Sequence, residues 1–240
     1  MFNATLVLIA LATGALTGLT GASGMSVLIS GLMLLRIDSR QIIALSFLVT
    51  LANSIASAVP YWRRGYVNSR AALVISAFAC MGVCAGFAMG RSLSSGTLEI
   101  LMMAALLFAG IKLRTGKSPE ERPGSSHQQQ PWSWLAGFGL LSGIVMGVMG
   151  GGGGVFIAIV LMLVFSMPAK DAVGTSIVVM ASAAVPGLLL HIQAESLPWN
   201  LAAVILPISI AAAFGCARVG RNVPCLLYTS PSPRDHLAHL

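Results

Sequence analysis

Charged residues are scarce in this chain. Its 240 residues include 14 Lys or Arg and 7 Asp or Glu, together 9%, whereas an ordinary soluble domain carries about a quarter. Hydrophobic residues account for 56%. A soluble fold of this length could not hide so much apolar surface from water, but a bilayer replaces water as the surrounding medium. The composition therefore predicts an integral membrane protein.

The chain also lacks the alternation of apolar and polar residues that barrel strands show. Its apolar residues form continuous runs, and a helix needs roughly 20 such residues to cross the hydrocarbon of a bilayer. The predicted fold class is an all-α, polytopic membrane protein. Its seven apolar segments are 4–35, 41–62, 71–90, 97–111, 132–167, 172–192 and 201–217.

No pattern of catalytic or metal-ligating residues occurs in the sequence. It has no cluster of metal ligands, no nucleophile elbow and no phosphate-loop lysine. The net charge of +7 comes from basic residues at the ends of apolar runs, where membrane proteins keep them, and not from a basic stripe that would bind nucleic acid. We therefore expect no enzymatic activity, no cofactor, no metal and no nucleic-acid partner.

Cysteine is also rare, with four residues, and three of them lie within apolar runs. This placement argues against a disulfide framework. Cys80 and Cys84 would share one helix face, where packing between helices is the simpler interpretation. A functional thiol is the alternative.

The sequence repeats itself at a shift of 129 positions. Four glycines of the first apolar segment then coincide with four glycines of the fifth, without a gap, and Ser46 coincides with Thr175. Internal duplication with broken segments at matching positions is typical of secondary transporters. The glycine pairs are Gly14 with Gly143, Gly18 with Gly147, Gly21 with Gly150, and Gly24 with Gly153.

Two homologous halves follow from this repeat. We expect a first membrane repeat at 1–111, a polar inter-repeat loop at 112–131 and a second membrane repeat at 132–222. The second repeat has no counterpart of the fourth segment, so we expect that an eighth segment is missing. The Pro- and Ser-rich stretch 223–240 is predicted to be a non-native or disordered tail, with a short native cytoplasmic tail as the alternative.

The distribution of Lys and Arg favours inverted halves. If both glycine-broken segments dip into the membrane and return, one face holds ten Lys or Arg residues and the other three. If each segment crosses once, the division is seven to six. Because Lys and Arg concentrate on the cytoplasmic side, we predict re-entrant segments, three crossings per half and a cytoplasmic 112–131 loop. An odd number of crossings inverts the second half relative to the first.

One longer motif resembles a known family. The second half contains the stretch SGIVMGVMGGGGGVFIAIVLML at 142–163, followed by KDAVGTSIVV at 170–179. The first half contains a less similar copy of both elements, GASG at 21–24 and IALSF at 43–47. This combination resembles the sulfite exporter TauE/SafE family of membrane permeases. The resemblance covers roughly residues 5–217. It implies eight transmembrane segments and the transport of sulfite, sulfonates or related anions.

The five consecutive glycines at 150–154 predict a break in the membrane segment, since each Gly costs a helix about 1 kcal/mol relative to Ala. Backbone at membrane depth that lacks helical hydrogen bonds must be buried in protein or line a water-filled cavity. A helix that restarts at Val155 would present N–H groups without intrahelical partners, and these groups and the helix dipole favour an anion. Gly21, Ser23 and Gly24 precede a similar restart. Two such half-helices would form an anion cradle near the bilayer centre.

Hydroxyl groups at the starts of the second and sixth segments could add hydrogen-bond donors to this cradle. Each hydroxyl could instead bond to its own helix, and Gly14, Gly18, Gly143 and Gly147, with Gly82 and Gly86, are more simply explained by close helix packing. The predicted substrate-binding residues are Gly150, Gly151, Gly152, Gly153, Gly154, Thr175 and Ser176, together with Gly21, Ser23, Gly24 and Ser46. Ser182, Asn53 and Ser54, further along the same segments, are secondary candidates.

These residues favour a carrier of a small anion that works by alternating access, with one half rocking against the other around the cradle. Sulfite or an organosulfonate as the anion is implied only by the resemblance. An anion channel, or a membrane protein without a transport function, is the alternative. The expected partners are the small anion and the lipid of a cell inner membrane, which the chain would cross several times. A homodimer is left open.

Overall fold

The computed structural model describes residues 2–20, 23–35, 37, 39–90, 132–149, 151, 153–165, 167–194 and 197–219. Within these ranges the chain forms eight α-helices and no β-strand, which confirms the predicted all-α class. The fourth apolar segment, the inter-repeat loop, the predicted tail and the position of an eighth segment lie outside the described residues. The helices are α1 (Phe2–Thr20), α2 (Met25–Leu34), α3 (Ser39–Trp62), α4 (Ser69–Gly90), α5 (Trp132–Met149), α6 (Gly154–Leu163), α7 (Ala169–Ala194) and α8 (Trp199–Val219).

Four helices, α3, α4, α7 and α8, are long and apolar enough to cross a membrane. Their apolar stretches of 21 to 24 residues extend over about 32 Å or more at the α-helical rise, which matches the thickness of bilayer hydrocarbon. They correspond to the second, third, sixth and seventh apolar segments of the sequence. The described chain is thus a polytopic helical membrane protein.

The first glycine-broken segment forms two helices that fold back on each other. A Cβ on Gly24, just before α2, would lie 2.6 Å from Cα of Thr13 in the middle of α1. Further along α2, Gly31 faces the side chain of Ile9, nearer the start of α1. α2 therefore runs back alongside α1, over about half its length.

The second glycine-broken segment has the same shape. A Cβ on Gly153, just before α6, would lie 2.6 Å from Cγ of Met146 near the end of α5. Past the end of α6, the ring of Phe165 lies 5.9 Å from that of Phe138, near the start of α5. α6 therefore returns toward the beginning of α5.

Glycines bring two pairs of helices into close contact. α1 packs on α8, and α5 packs on α4, with backbone of the partner helix directly over each glycine. Within each pair, the contact positions advance in the same direction along both helices, so the two helices are parallel. The packing explanation for these glycines is confirmed. The contacts are Gly14 with Ser209, Gly18 with Ala213, Gly143 with Ala79, Gly147 with Val83, Gly82 with Leu140 and Gly86 with Ile144.

Buried apolar side chains form two clusters, and each cluster contains helices from both predicted repeats. One unites α1, α2 and α3 with α8, through residues such as Leu45 and Ile205. The other unites α4 with α5, α6 and α7, through residues such as Ile75 and Met180. We call these groups the 1-2-3-8 bundle and the 4-5-6-7 bundle. The two packing units therefore differ from the two repeats.

The bundles meet where α3 lies against α7. Phe47, near the start of α3, contacts Gly187 near the end of α7, and Tyr61, near the end of α3, contacts Gly174 near the start of α7. These two helices are therefore antiparallel.

Further contacts give the directions of the other long helices. α4 runs parallel to α7, because one hydrogen bond joins the residue just ahead of α4 to the second turn of α7, and another, further along both helices, joins Ser76 to Ser182. In the 1-2-3-8 bundle one apolar cluster joins the N-terminal parts of α1, α3 and α8, and Tyr61 at the end of α3 reaches Gly18 at the end of α1. Thus α1, α3 and α8 point one way, and α4, α5 and α7 point the other.

Candidate functional site

The second glycine-rich break separates α5 from α6. Gly151 lies there at φ +98°, a region that favours glycine, and its N–H donates to the carbonyl of Met146 at 2.9 Å. α6 follows with Gly153 as its N-cap and no side chain bonded to its start. The first helical bond runs from Ile157 N–H to the carbonyl of Gly153 at 3.0 Å. The N–H groups of the first turn, beginning at Gly154, precede this bond and have no partner within the helix.

This helix start lies deep inside the protein. Gly151, Gly153 and Gly154 are buried, and a Cβ on Gly151 would lie 3.4 Å from Oγ1 of Thr50, halfway along α3. Among the side chains that the structure describes, no charged one is buried. The positive end of the α6 dipole and its first N–H groups are therefore the source of positive potential at this depth. Gly150 and Gly152, also predicted to bind substrate, lie outside the described residues.

The first break differs from the second in its hydrogen bonding. Gly24 N–H donates to Oγ1 of Thr17 at 3.2 Å, and Met25 N–H donates to Oγ of Ser23 at 3.3 Å. Two donors at the start of α2 thus have side-chain partners within their own hairpin. The remaining residue predicted for this break, Gly21, is not among those the structure describes.

The three predicted hydroxyl residues are buried, and two of them bond to their own helices. Ser46 donates to the carbonyl of Ile43 at 2.6 Å, and Ser176 donates to that of Val173 at 2.9 Å, so the own-helix alternative is seen for both. Thr175 accepts a bond of 3.1 Å from the N–H of Asn68, ahead of α4. Because α3 and α7 are antiparallel, Ser46 and Thr175 lie toward opposite ends of the pair.

A buried polar stripe on α3 was predicted only in part, since Asn53 and Ser54 were secondary candidates and its other two members were not predicted. We call it the α3 polar stripe, and its members are Thr50, Asn53, Ser54 and Ser57, all at most 4% exposed. Their spacing of three and four residues places them on one side of a helix. Thr50 sets the stripe beside the second break, through the approach to Gly151 described above. The spacing was visible in the sequence and could have identified the stripe.

Three members of this stripe have no hydrogen-bond partner in the described part of the chain. The orphaned atoms are both polar atoms of Asn53 and the hydroxyl oxygens of Ser54 and Ser57, and all three residues are 0% exposed. A buried polar group left without a partner costs about 1–3 kcal/mol. Buried polar atoms in native proteins almost always have a protein, water or ligand partner. The stripe is therefore suited to bind a small polar species.

Comparison with known protein families gives a match. The family model described as sulfite exporter TauE/SafE matches residues 6–228. The chain belongs to this family. The resemblance seen in the sequence is thereby confirmed, and the TauE/SafE fold places the chain among multi-pass membrane transporters.

One relative of this TauE/SafE chain is the "Probable membrane transporter protein YdhB" of Bacillus subtilis (strain 168). The two are 22% identical over 228 residues, which is 94% of this chain and 93% of the relative. The similarity therefore extends over nearly the full length of both proteins. No solved structure gives a significant match.

Proposed function

We propose that this TauE/SafE protein is a secondary carrier of a small oxyanion, sulfite or an organosulfonate, across a cell inner membrane. The observation that carries the proposal is the start of α6, where the N–H groups of the first turn, beginning at buried Gly154, have no side-chain cap. A helix N-terminus of this kind attracts anions through its donors and its dipole. In a membrane carrier of inverted design, broken helices of this type bind the anionic group of the substrate.

The side chains around this helix start support the same function. The α3 polar stripe supplies a second, independent set of donors, since Asn53, Ser54 and Ser57 have no hydrogen-bond partner among the residues that the structure describes. An oxyanion that enters the membrane must exchange water for such donors, because desolvation without replacement is costly. The family description names sulfite as the exported ion, and its oxygens fit a site built from hydrogen-bond donors.

The arrangement of the two bundles supports alternating access. Opposite directions of α1 and α5, of α3 and α7, and of α4 and α8 are what an inverted repeat requires. The stripe lies on α3, and α3 meets α7 where the 1-2-3-8 and 4-5-6-7 bundles touch. Rocking of one bundle against the other would open this contact first to one side of the membrane and then to the other.

Counterflow in liposomes tests the proposal. Purified protein is reconstituted in vesicles loaded with unlabelled sulfite, and entry of labelled sulfite is compared with entry into unloaded vesicles. A carrier gives saturable uptake that the internal sulfite accelerates, whereas a channel gives no such acceleration. Uptake no greater than in protein-free vesicles, for both sulfite and methanesulfonate, would contradict the proposed function.

A further inference from the structure

The polar stripe is present in only one of the two repeats. At the shift of 129, Thr50 and Ser54 of α3 correspond to Val179 and Ala183 of α7, and both of these are fully buried. The helix position therefore accepts apolar residues, which pack without any need for a hydrogen-bond partner. Folding alone does not require the hydroxyl groups on α3.

Asn53 shows the same asymmetry. Its counterpart on α7 is Ser182, whose hydroxyl oxygen lies 2.7 Å from that of Ser76 on α4 and also reaches carbonyls of its own helix. The copy on α7 is thus satisfied by protein partners, whereas both polar atoms of Asn53 are left without one. A ligand that binds Asn53 would explain why the polar atoms of this residue are left unpaired while its counterpart on α7 is not.

The stripe faces the contact between the two bundles. Phe47, Ser54 and Tyr61 follow each other at intervals of seven, so they share one face of α3, and the first and last of them contact α7. Ser54 therefore faces α7 between these contacts. Thr50, one turn earlier, lies beside Gly151 at the second break. A species bound by the stripe would also be close to the start of α6.

The chemistry of this site limits the charge of its ligand. The amide of Asn53 and the hydroxyls of Ser54 and Ser57 offer neutral donors, and the sequence has no Lys or Arg within 41–62, 132–167 or 172–217. The solvation energy lost when an ion leaves water rises with the square of its charge, so a dianion loses about four times as much as a monoanion of equal size. Neutral donors and a helix dipole can offset the smaller loss far better than the larger.

From these observations we propose that Asn53, Ser54 and Ser57 bind the oxyanion directly and make the site selective for ions that carry a single negative charge. The inference rests on the proposed function and goes further, because it assigns the side chains that hold the ion and the charge class that they accept. Sulfonates and hydrogen sulfite belong to this class, and sulfate does not.

Competition and binding measurements test the inference. Uptake of labelled sulfite into liposomes is measured against unlabelled methanesulfonate or sulfate, and binding of methanesulfonate to the purified protein is measured by calorimetry. Methanesulfonate is expected to reduce the uptake of labelled sulfite, whereas sulfate at the same concentration is expected to have no effect. Asn53→Ala and Ser54→Ala should each raise the KM for sulfite and the Kd for methanesulfonate about tenfold, the loss of one hydrogen bond to an ion.

Ser142→Ala is the matched control. Ser142 is also 0% exposed, but its hydroxyl donates to the carbonyl of Gly139 at 3.0 Å, so its removal should leave KM and Kd unchanged. Thermal unfolding separates binding from folding. Asn53→Leu removes the orphaned polar group and keeps the side-chain volume, so its unfolding temperature should equal or exceed that of the unchanged protein while its Kd for methanesulfonate rises as in Asn53→Ala.

The possible results distinguish this inference from the proposed function. Sulfite uptake with an unchanged KM in both variants, or equal competition by sulfate, overturns the inference and leaves the carrier function intact. Binding of methanesulfonate that depends on Asn53 and Ser54, without any uptake, supports the inference and removes the carrier function. If the unchanged protein neither binds nor transports these ions, both are wrong.

Discussion

Gly151 adopts a backbone conformation that side chains disfavour, at φ +98° in the buried break between α5 and α6. The space around it is not the constraint, because the nearest atom to a Cβ there would be Oγ1 of Thr50 at 3.4 Å. Glycine is needed for its conformation, which lets the chain reverse and aim the start of α6 inward. Five glycines in the sequence predicted a break here, and among the described positions of the break Gly151 has the backbone conformation that requires one.

Replacing this glycine should destabilise the protein through the backbone. Gly151→Ala is expected to cost about 1–2 kcal/mol, the penalty for a side chain in the left-handed region, and to reduce transport because the start of α6 shifts. Gly137→Ala is the control, since Gly137 is a helical residue of α5 with no atom within 4 Å of a Cβ. It should be neutral or gain up to about 1 kcal/mol. Equal unfolding temperatures of the two variants would show that Gly151 is not strained.

Hydroxyl residues were harder to interpret than glycines. Ser46 and Ser176 were predicted to bind substrate, yet both bond to carbonyls of their own helices, as Ser in a membrane helix often does. The orphaned Asn53, Ser54 and Ser57 look the same in the sequence. Whether a buried hydroxyl has a partner depends on rotamers and neighbours, so only the structure distinguishes the two sets.

Helix α5 is attached to α4 by a row of glycines. A Cβ on Gly143 would lie 2.7 Å from Cα of Ala79, and backbone cannot move aside as a flexible side chain can. Similar approaches at Gly139 and Gly147 extend the contact along the helix. Close approach of this kind is a common way in which membrane helices associate, since lipid provides no hydrophobic force between them.

A larger residue in this row should separate the helices. Gly143→Val is expected to destabilise the protein by about 1–3 kcal/mol or more, the usual cost of overpacking. Gly137→Val on the same helix tests the effect of the residue type alone, because no atom surrounds that position. The measurement is the unfolding temperature of each variant in detergent. A loss in Gly137→Val as large as that in Gly143→Val would mean that packing on α4 is not the cause.

The two bundles exchange helices between the two predicted repeats. α8, from the second repeat, completes the 1-2-3-8 bundle, and α4, from the first repeat, completes the 4-5-6-7 bundle. The sequence suggested that one half rocks against the other. In the structure the helices of the two predicted repeats interlock, so the motion that we propose for alternating access moves bundle against bundle and keeps each core intact.

Disulfide cross-links can separate these two motions. Ser76 and Ser182 come from different repeats but from the same bundle, and their hydroxyl oxygens are 2.7 Å apart. In a background without the native cysteines, a disulfide between S76C and S182C should leave sulfite transport nearly unchanged if bundles move. The same disulfide should block transport if the repeats move as units.

The companion cross-link joins the bundles themselves. F47C and G187C pair α3 with α7, and removal of the Phe47 ring clears the space next to Gly187. Transport should be lost in the oxidised form and return after reduction, measured on the same vesicles. Full transport by the oxidised form would show that the contact between α3 and α7 does not open.

The sequence alone determined that the protein lies in a lipid bilayer and that it is helical. It also determined where the two breaks are and which faces of α1, α4 and α5 carry glycine. These properties follow from composition and from the spacing of glycines in one stretch of chain, and lipid leaves few alternatives to helices. Only the tertiary structure decided which helices pair, which hydroxyls are orphaned and which bundle each helix joins. The long helices are apolar on most faces, so the local spacing of residues does not show which face meets which helix. Helix pairing is determined by shape complementarity between distant parts of the chain.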